Sequence, residues 1–470
     1  MNLFNQHFLR SYYFGWISKV QCIAVVILLL LLVPVSVYSK DASNQESMAY
    51  ADSLLEEGKF TEAEDAYWEI AKKKPDNYQA VLSMGRINLY KNSLEESEKW
   101  LKKAIKLNSE EKEPKALLAE AYYRRDDFKK AAQLFRALDK IPMADKLQYL
   151  SDREAYKIES DVDVTSVEFV QTDPLPIVRM RINQGEEALF LIDTGGWELI
   201  INTELAEKVG AKKFGGQLAT FAGGKQDSTF HGVVDQVEIG DFTVKNVPVH
   251  IRKRVKGLGP MMRQPIQGVI GTVFLYHFIF TFDYPDGKLI LHRKTDENIR
   301  KMKNQVKSKD KIVVPFWMAG DHIMVAHGTV NQSKPFLFFV DTGLAGGGFT
   351  GTDWLVKEAN IQLSEETFEG MGGGGNVTVR TAVADEITLG DAREKKVMGI
   401  FGAMPPDFGE KFGLRIGGII SHGFFRPYRL TFDFTTMNLI LERMNDQRLF
   451  RAVCIREEMI RQWGIQSQGI

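Results

Sequence analysis

Cysteine is almost absent. Cys22 and Cys454 are the only two in 470 residues, one in an apolar N-terminal run and one in the tail. No internal disulfide framework can hold the fold, and cysteine usage does not identify the compartment. An excess of one charge is missing too: 60 Lys and Arg face 61 Asp and Glu, for a formal net charge of −1. That leaves no basic surface for nucleic acid, which is not expected as a partner. The eight histidines are scattered, and His322 with His327 lacks the further ligands that zinc needs. No Gly-rich loop is followed by Lys-Ser or Lys-Thr, so a P-loop is excluded. The run Gly370-Met371-Gly372-Gly373-Gly374-Gly375 fits Gly-x-Gly-x-x-Gly spacing, but strand-like Val377-Thr378-Val379-Arg380 follows it. A phosphate cradle needs a helix N-terminus there, so no nucleotide, metal or other cofactor is expected. The composition, 44% apolar and 26% charged, is that of an ordinary globular chain with length for roughly two to four domains.

One long hydrophobic run is present. Val20 to Val37 is nearly all apolar, preceded by Arg10 and Lys19 and followed by Ser39-Lys40-Asp41. A basic stretch ahead of an apolar run directs the downstream chain out of the cytoplasm. Residues 1–40 therefore read as a cleaved signal peptide, with Val37-x-Ser39 as the cleavage site, or as an uncleaved anchor through residues 20–38. Both readings make the remainder extracytoplasmic (periplasmic or secreted), and membrane contact is expected only through this segment.

Residues 44–140 repeat with a period of about 34 residues. Gly58, Asn92 and Asp126 mark one turn position, and Phe60, Leu94 and Phe128 follow it. Ala63, Ser97 and Ala131 are the small residues, with Tyr67, Leu101 and Phe135 four further on. The pattern resembles tetratricopeptide repeats: paired antiparallel helices with small residues at close approaches. Three units are expected, at 44–77, 78–111 and 112–140, with a capping helix over 143–158. The resemblance implies an array that docks a peptide or partner protein on its concave face; the alternative is a packing module that only orients the rest of the chain.

From Val162 the chain is strand-rich, and it contains a longer repeat. Phe190-Leu191-Ile192-Asp193-Thr194-Gly195 is echoed by Phe338-Phe339-Val340-Asp341-Thr342-Gly343, with the two Asp residues 148 positions apart. Downstream the offset is 150. Gly268-Val269-Ile270-Gly271 matches Gly418-Ile419-Ile420-Ser421, and Thr281-Phe282-Asp283-Tyr284 matches Thr431-Phe432-Asp433-Phe434. A domain of roughly 130 residues has been duplicated. Each apolar run reads as a buried strand that delivers one carboxylate to a tight turn.

This pair resembles the retropepsin-like and pepsin-like aspartic proteases, over about residues 165–443. The expected fold is thus multidomain: an all-α repeat array (44–160) followed by an all-β two-lobed aspartic protease fold. The lobes are expected at 162–294 and 312–443, joined by a charged linker at 295–311 and followed by a tail at 444–470. The resemblance implies an endopeptidase in which Asp193 and Asp341 share a proton and activate water between them, acting on peptide or protein substrates. It makes Thr194, Gly195, Thr342, Gly343, Gly271 and Ile420 the support of the two turns. It places flap hairpins at Phe221, Gly223 and Gly224 in the first lobe and at Met371, Gly372 and Gly373 in the second. Lys253 to Gln264 reads as an inserted basic loop, and Asp283 and Asp433 as structural.

The sequence also departs from the family. Gly196-Trp197 and Leu344-Ala345 stand where the family often carries Ala or Ser and then a small polar residue, and Ser421 stands opposite Gly271. The alternative function is a protease-like fold that binds peptides without cleaving them. A further alternative pairs the lobes between chains.

Overall fold

A computed structural model describes residues 35–220, 226–253, 265–372, 375–405 and 407–444. The leader up to residue 34, the first flap tip (221–225), most of the inserted loop (254–264), Gly373, Gly374, Pro406 and the tail from 445 lie outside the described residues. Among the described residues no helix is long and apolar enough to cross a membrane.

Among the described residues seven helices come first: α1 (Val35–Glu56), α2 (Phe60–Lys73), α3 (Tyr78–Tyr90), α4 (Leu94–Leu107), α5 (Glu113–Arg124), α6 (Phe128–Ala137) and α7 (Ile141–Leu150). The turn residues explain the period. Gly58, Asn92 and Asp126 all have left-handed backbone, with φ of 73°, 60° and 58°, which only Gly, Asn and Asp adopt readily. Ala63, Ser97 and Ala131 are fully buried where helices meet. α1 begins inside the segment read as leader. The capping helix is shorter than the sequence suggested: it ends at Leu150, and Lys157–Glu159 is instead a strand paired antiparallel with Thr243–Lys245. The apolar spacing of 143–150 does not continue, and a strand edge was free to take the chain.

Among the described residues the β region forms two eight-stranded sheets and one six-stranded sheet. In the first lobe Glu187–Ile192 runs parallel to Gly268–Ile270; in the second Phe336–Val340 runs parallel to Ile416–Ile420. Each lobe carries a long hairpin: Lys212–Thr220 with Gln226–Ile239, and Phe368–Gly372 with Gly375–Leu389. The six-stranded sheet takes three strands from each repeat, so the lobes are not separate bodies. At its centre Phe278–Asp283 pairs antiparallel with Tyr428–Asp433, and Thr281 meets its own repeat counterpart Thr431. Their hydroxyls lie 2.7 Å apart, and Phe280 stacks on Phe432 with centroids 4.6 Å apart. The pseudo-two-fold axis of the duplication passes here.

Asp283 and Asp433, both fully buried, tie down this sheet's ends. Asp283 accepts from Arg429 at 3.0 Å, and Asp433 accepts from the Thr435 amide at 2.9 Å.

The supposed linker contains a helix, Asp296–Val306, capped by the Thr295 side chain. It has an apolar side: buried Met302 with Ile299 and Val306 packs on Ile279 and Ile440 beneath the shared sheet.

The array packs its first-of-pair helices onto the β region. α3 is buried along nearly its whole length. The α3 Tyr90 hydroxyl donates to the Phe412 carbonyl at 2.8 Å, and Phe60, at the start of the second-of-pair helix α2, stacks on Trp317 with centroids 4.5 Å apart. The Asn92 amide reaches the Tyr276 hydroxyl and the Phe434 carbonyl. The face expected to hold a partner is covered by this chain's own lobes.

Candidate active site: paired carboxyl turns

Each parallel strand pair ends in an Asp whose amide continues the ladder. The Asp193 amide donates to Ile270 O at 3.0 Å, and the Asp341 amide to Ile420 O at 3.1 Å. The turns then fold back so that the Gly195 amide donates to Asp193 Oδ1 (2.9 Å) and the Gly343 amide to Asp341 Oδ1 (2.7 Å).

The lobes grip each other through the threonines. The Thr194 amide donates to Thr342 Oγ1 at 3.1 Å, and the Thr342 amide donates to Thr194 Oγ1 at 2.9 Å. The Thr194 hydroxyl donates on to Val340 O at 3.3 Å. Both threonines are fully buried. Glycine is required beside them: a Cβ on Gly195 would run into the Asp341 carboxylate, and one on Gly343 into Asp193.

The two carboxyl groups therefore face each other across the lobe boundary, within hydrogen-bonding reach. Burial pushes Asp193 up, eased by the hydrogen bond with Asp341, the Gly195 amide and the charge of His322. Burial and the neighbouring Asp193 charge push Asp341 well above the ordinary carboxylate range. Two like charges this close oppose each other's ionisation, so the two carboxyls titrate as a pair.

Beneath the turns the lobes differ. In the first, Thr272 Oγ1 donates to Thr194 O at 2.7 Å, and a Cβ on Gly271 would collide with the Trp197 and Glu198 carbonyls. In the second, Ser421 replaces that glycine, and its hydroxyl accepts from the Leu344 amide at 3.1 Å. The departure at 421 thus adds a hydrogen bond under the Asp341 turn.

The structure brings Asp193, Asp341, Thr194, Thr342, Gly195, Gly343, Gly271 and Ile420 together. Of the flap candidates, Met371 and Gly372 lie on a hairpin strand opposite Asn376 and Gly375; Phe221, Gly223, Gly224 and Gly373 are outside the described residues. Among the described residues no cluster of three or more potential ligands could hold a metal ion.

Sequence reasoning missed the charges behind the first turn. Glu198 and Lys146, both fully buried, form an ion pair in which Lys146 Nζ lies 2.6 Å from each Glu198 carboxylate oxygen. The Tyr123 hydroxyl donates to the same carboxylate. Burial lowers Lys146 despite the opposing Glu198 charge, and burial with that charge holds Tyr123 well above its usual value. The only signal in the sequence was a carboxylate ahead of the apolar run Leu199-Ile200-Ile201.

A duplicated β domain that closes two Asp-Thr-Gly turns on one carboxyl pair defines the aspartic protease class of fold and site. The aspartyl protease family model matches residues 178–274 and 326–415, and a tetratricopeptide repeat model matches 49–112. The two β lobes thus carry matches to the aspartyl protease family, with tetratricopeptide repeats ahead of them. No curated protein matches the chain.

Proposed function

We propose that this chain is an exported aspartic endopeptidase whose carboxyl pair, Asp193 and Asp341, activates the water that hydrolyses a peptide bond. One observation carries the reading: the two buried carboxyls meet across the lobe boundary, each fixed by a glycine amide. The ionised member of such a pair takes a proton from water, and the protonated member donates to the scissile carbonyl. Threonine hydrogen bonds between the turns hold the geometry, which is where preorganisation acts on rate. Both lobes come from one chain, so the pair forms without a second copy. The leader supports export, to the periplasm or the outside, with residues 20–38 as the anchor if uncleaved.

The array docks a substrate or partner protein on its outer side. The inner side is occupied by the lobes, while Trp68 and Trp100 meet edge to face on the outer helices with Trp68 half exposed.

The test is cleavage of a peptide library by the full chain beside Asp193→Asn and Asp341→Asn. Cleavage by wild type and by neither variant supports the reading. A folded wild type that cleaves nothing would make the chain a peptide-binding scaffold.

A further inference from the structure

We propose that the helical array is a working part of the catalytic unit: Lys146 and Tyr123 hold Glu198, and through it they position the turn that presents Asp193. This rests on the endopeptidase reading above.

Glu198 stands five residues beyond Asp193, and its backbone lies on the floor of the site. The Trp197 carbonyl accepts from the Val273 amide at 3.0 Å, and the Gly196 carbonyl from the Thr272 amide at 3.0 Å. Thr272 in turn holds the Thr194 carbonyl, and Thr194 is half of the inter-lobe grip. A displacement of Glu198 therefore reaches the Asp193 turn through continuous hydrogen bonds. Three side chains from three elements face the Glu198 carboxylate: Lys146 from α7, Tyr123 from α5, and His250, whose Nε2 lies 3.3 Å away on the strand Phe242–Arg252. Burial and the Lys146 charge hold His250 well below the usual histidine range.

The next residue of α5 serves the other lobe. Arg124 Nη2 donates to the Met318 carbonyl at 2.8 Å and to the Gly320 carbonyl, fixing the turn that carries Asp321 and His322. His322 Nδ1 lies 2.6 Å from Asp321 Oδ1, and its ring stacks at 6.4 Å on Trp197, which also stacks on His250 at 4.6 Å. Adjacent residues of one helix thus grip both lobes beside the carboxyl pair. Stability alone does not call for this arrangement. A buried ion pair is rarely more stabilising than apolar residues of the same size, so its value lies in fixing one geometry.

The experiment uses the full chain with the double substitution Lys146→Met/Glu198→Gln, which removes both charges and leaves no lone buried ion. Hydrogen–deuterium exchange is followed over 189–199 and 336–345, with kcat and KM measured on the same samples. The expected result is faster exchange at 193–199, unchanged exchange over 336–340, and a kcat loss of about 100-fold with KM unchanged. Wild-type exchange and wild-type kcat in the folded double variant would overturn the proposal. If the double variant does not fold, Tyr123→Phe removes a single hydroxyl: a smaller kcat loss at constant KM supports the proposal, and wild-type kcat refutes it. A wild type that cleaves nothing refutes the endopeptidase reading, and the exchange comparison still decides whether the array positions the turn.

Discussion

Substituting Thr194 by Val keeps the shape of the side chain and deletes one hydroxyl. That hydroxyl serves the opposite lobe: it accepts from the Thr342 amide at 2.9 Å and donates to the Val340 carbonyl at 3.3 Å. Thr194 and Thr342 are fully buried, so no water replaces it. Each buried group left without a partner costs about 1–3 kcal/mol. The longer bond belongs at the low end, giving about 2–5 kcal/mol for the substitution. Thr194 keeps its own amide bond to Thr342 Oγ1, so the damage falls on the Asp341 turn, contributed by the other lobe. Native-state hydrogen exchange at the Thr342 amide reads it directly. Losing about 1–3 kcal/mol there accelerates exchange by roughly 5- to 150-fold. Cleavage is expected to fall at least as steeply as for any single floor residue. Unchanged exchange at Thr342, or a global loss below about 0.5 kcal/mol, would refute the cross-lobe grip.

Three other outcomes are expected. Gly343→Ala places a Cβ against the Asp193 carboxylate; the pair must separate, and kcat should fall by about 100-fold or more while thermal unfolding shows the protein still folded. Asp341→Asn should unfold at a higher temperature than wild type at pH 7. The folded Asp341 carboxyl is raised, so the native state holds a proton that the unfolded chain releases near pH 4, and wild-type stability falls as pH rises above that value. The difference should vanish below about pH 4, and a variant less stable at pH 7 would contradict the shared proton. Ser421→Ala removes the acceptor of the Leu344 amide and should cost about 1 kcal/mol, measured by urea unfolding, with a smaller effect on cleavage than Thr194→Val.

Much of the fold could be read from the chain because local chemistry and repetition agreed. Gly58, Asn92 and Asp126 are spaced by the array period and share the left-handed turn that selects them. The two Asp-Thr-Gly runs stood out through the matched segments behind them, and the strands, floor and turns fell where the repeat put them. Other features depend on partners remote in sequence. Lys146 and Glu198 are 52 residues apart, and neither position looks unusual alone; only packing α7 against the first lobe makes them a pair. The helix at 296–306 was obscured by its composition, since Ile299, Met302 and Val306 are three apolar positions among lysines, arginine and asparagines. Its burial is decided by the shared sheet. The covering of the array's inner face was equally unreadable, because a repeat array shows the same spacing whether it binds a partner or its own chain.

In the proposed mechanism Asp193 and Asp341 act as one proton-sharing pair on a peptide bond. The most direct test is the pH profile of kcat/KM for a cleaved peptide between about pH 3 and 8, wild type beside Asp341→Asn. Because burial and the paired charge raise Asp341, wild-type activity should persist above the ordinary aspartate value near 4 and fall only when the shared proton is lost. The variant should be inactive throughout. Equal activity in Asp341→Asn, or a wild-type profile that does not respond to ionisation of the pair, would contradict the account.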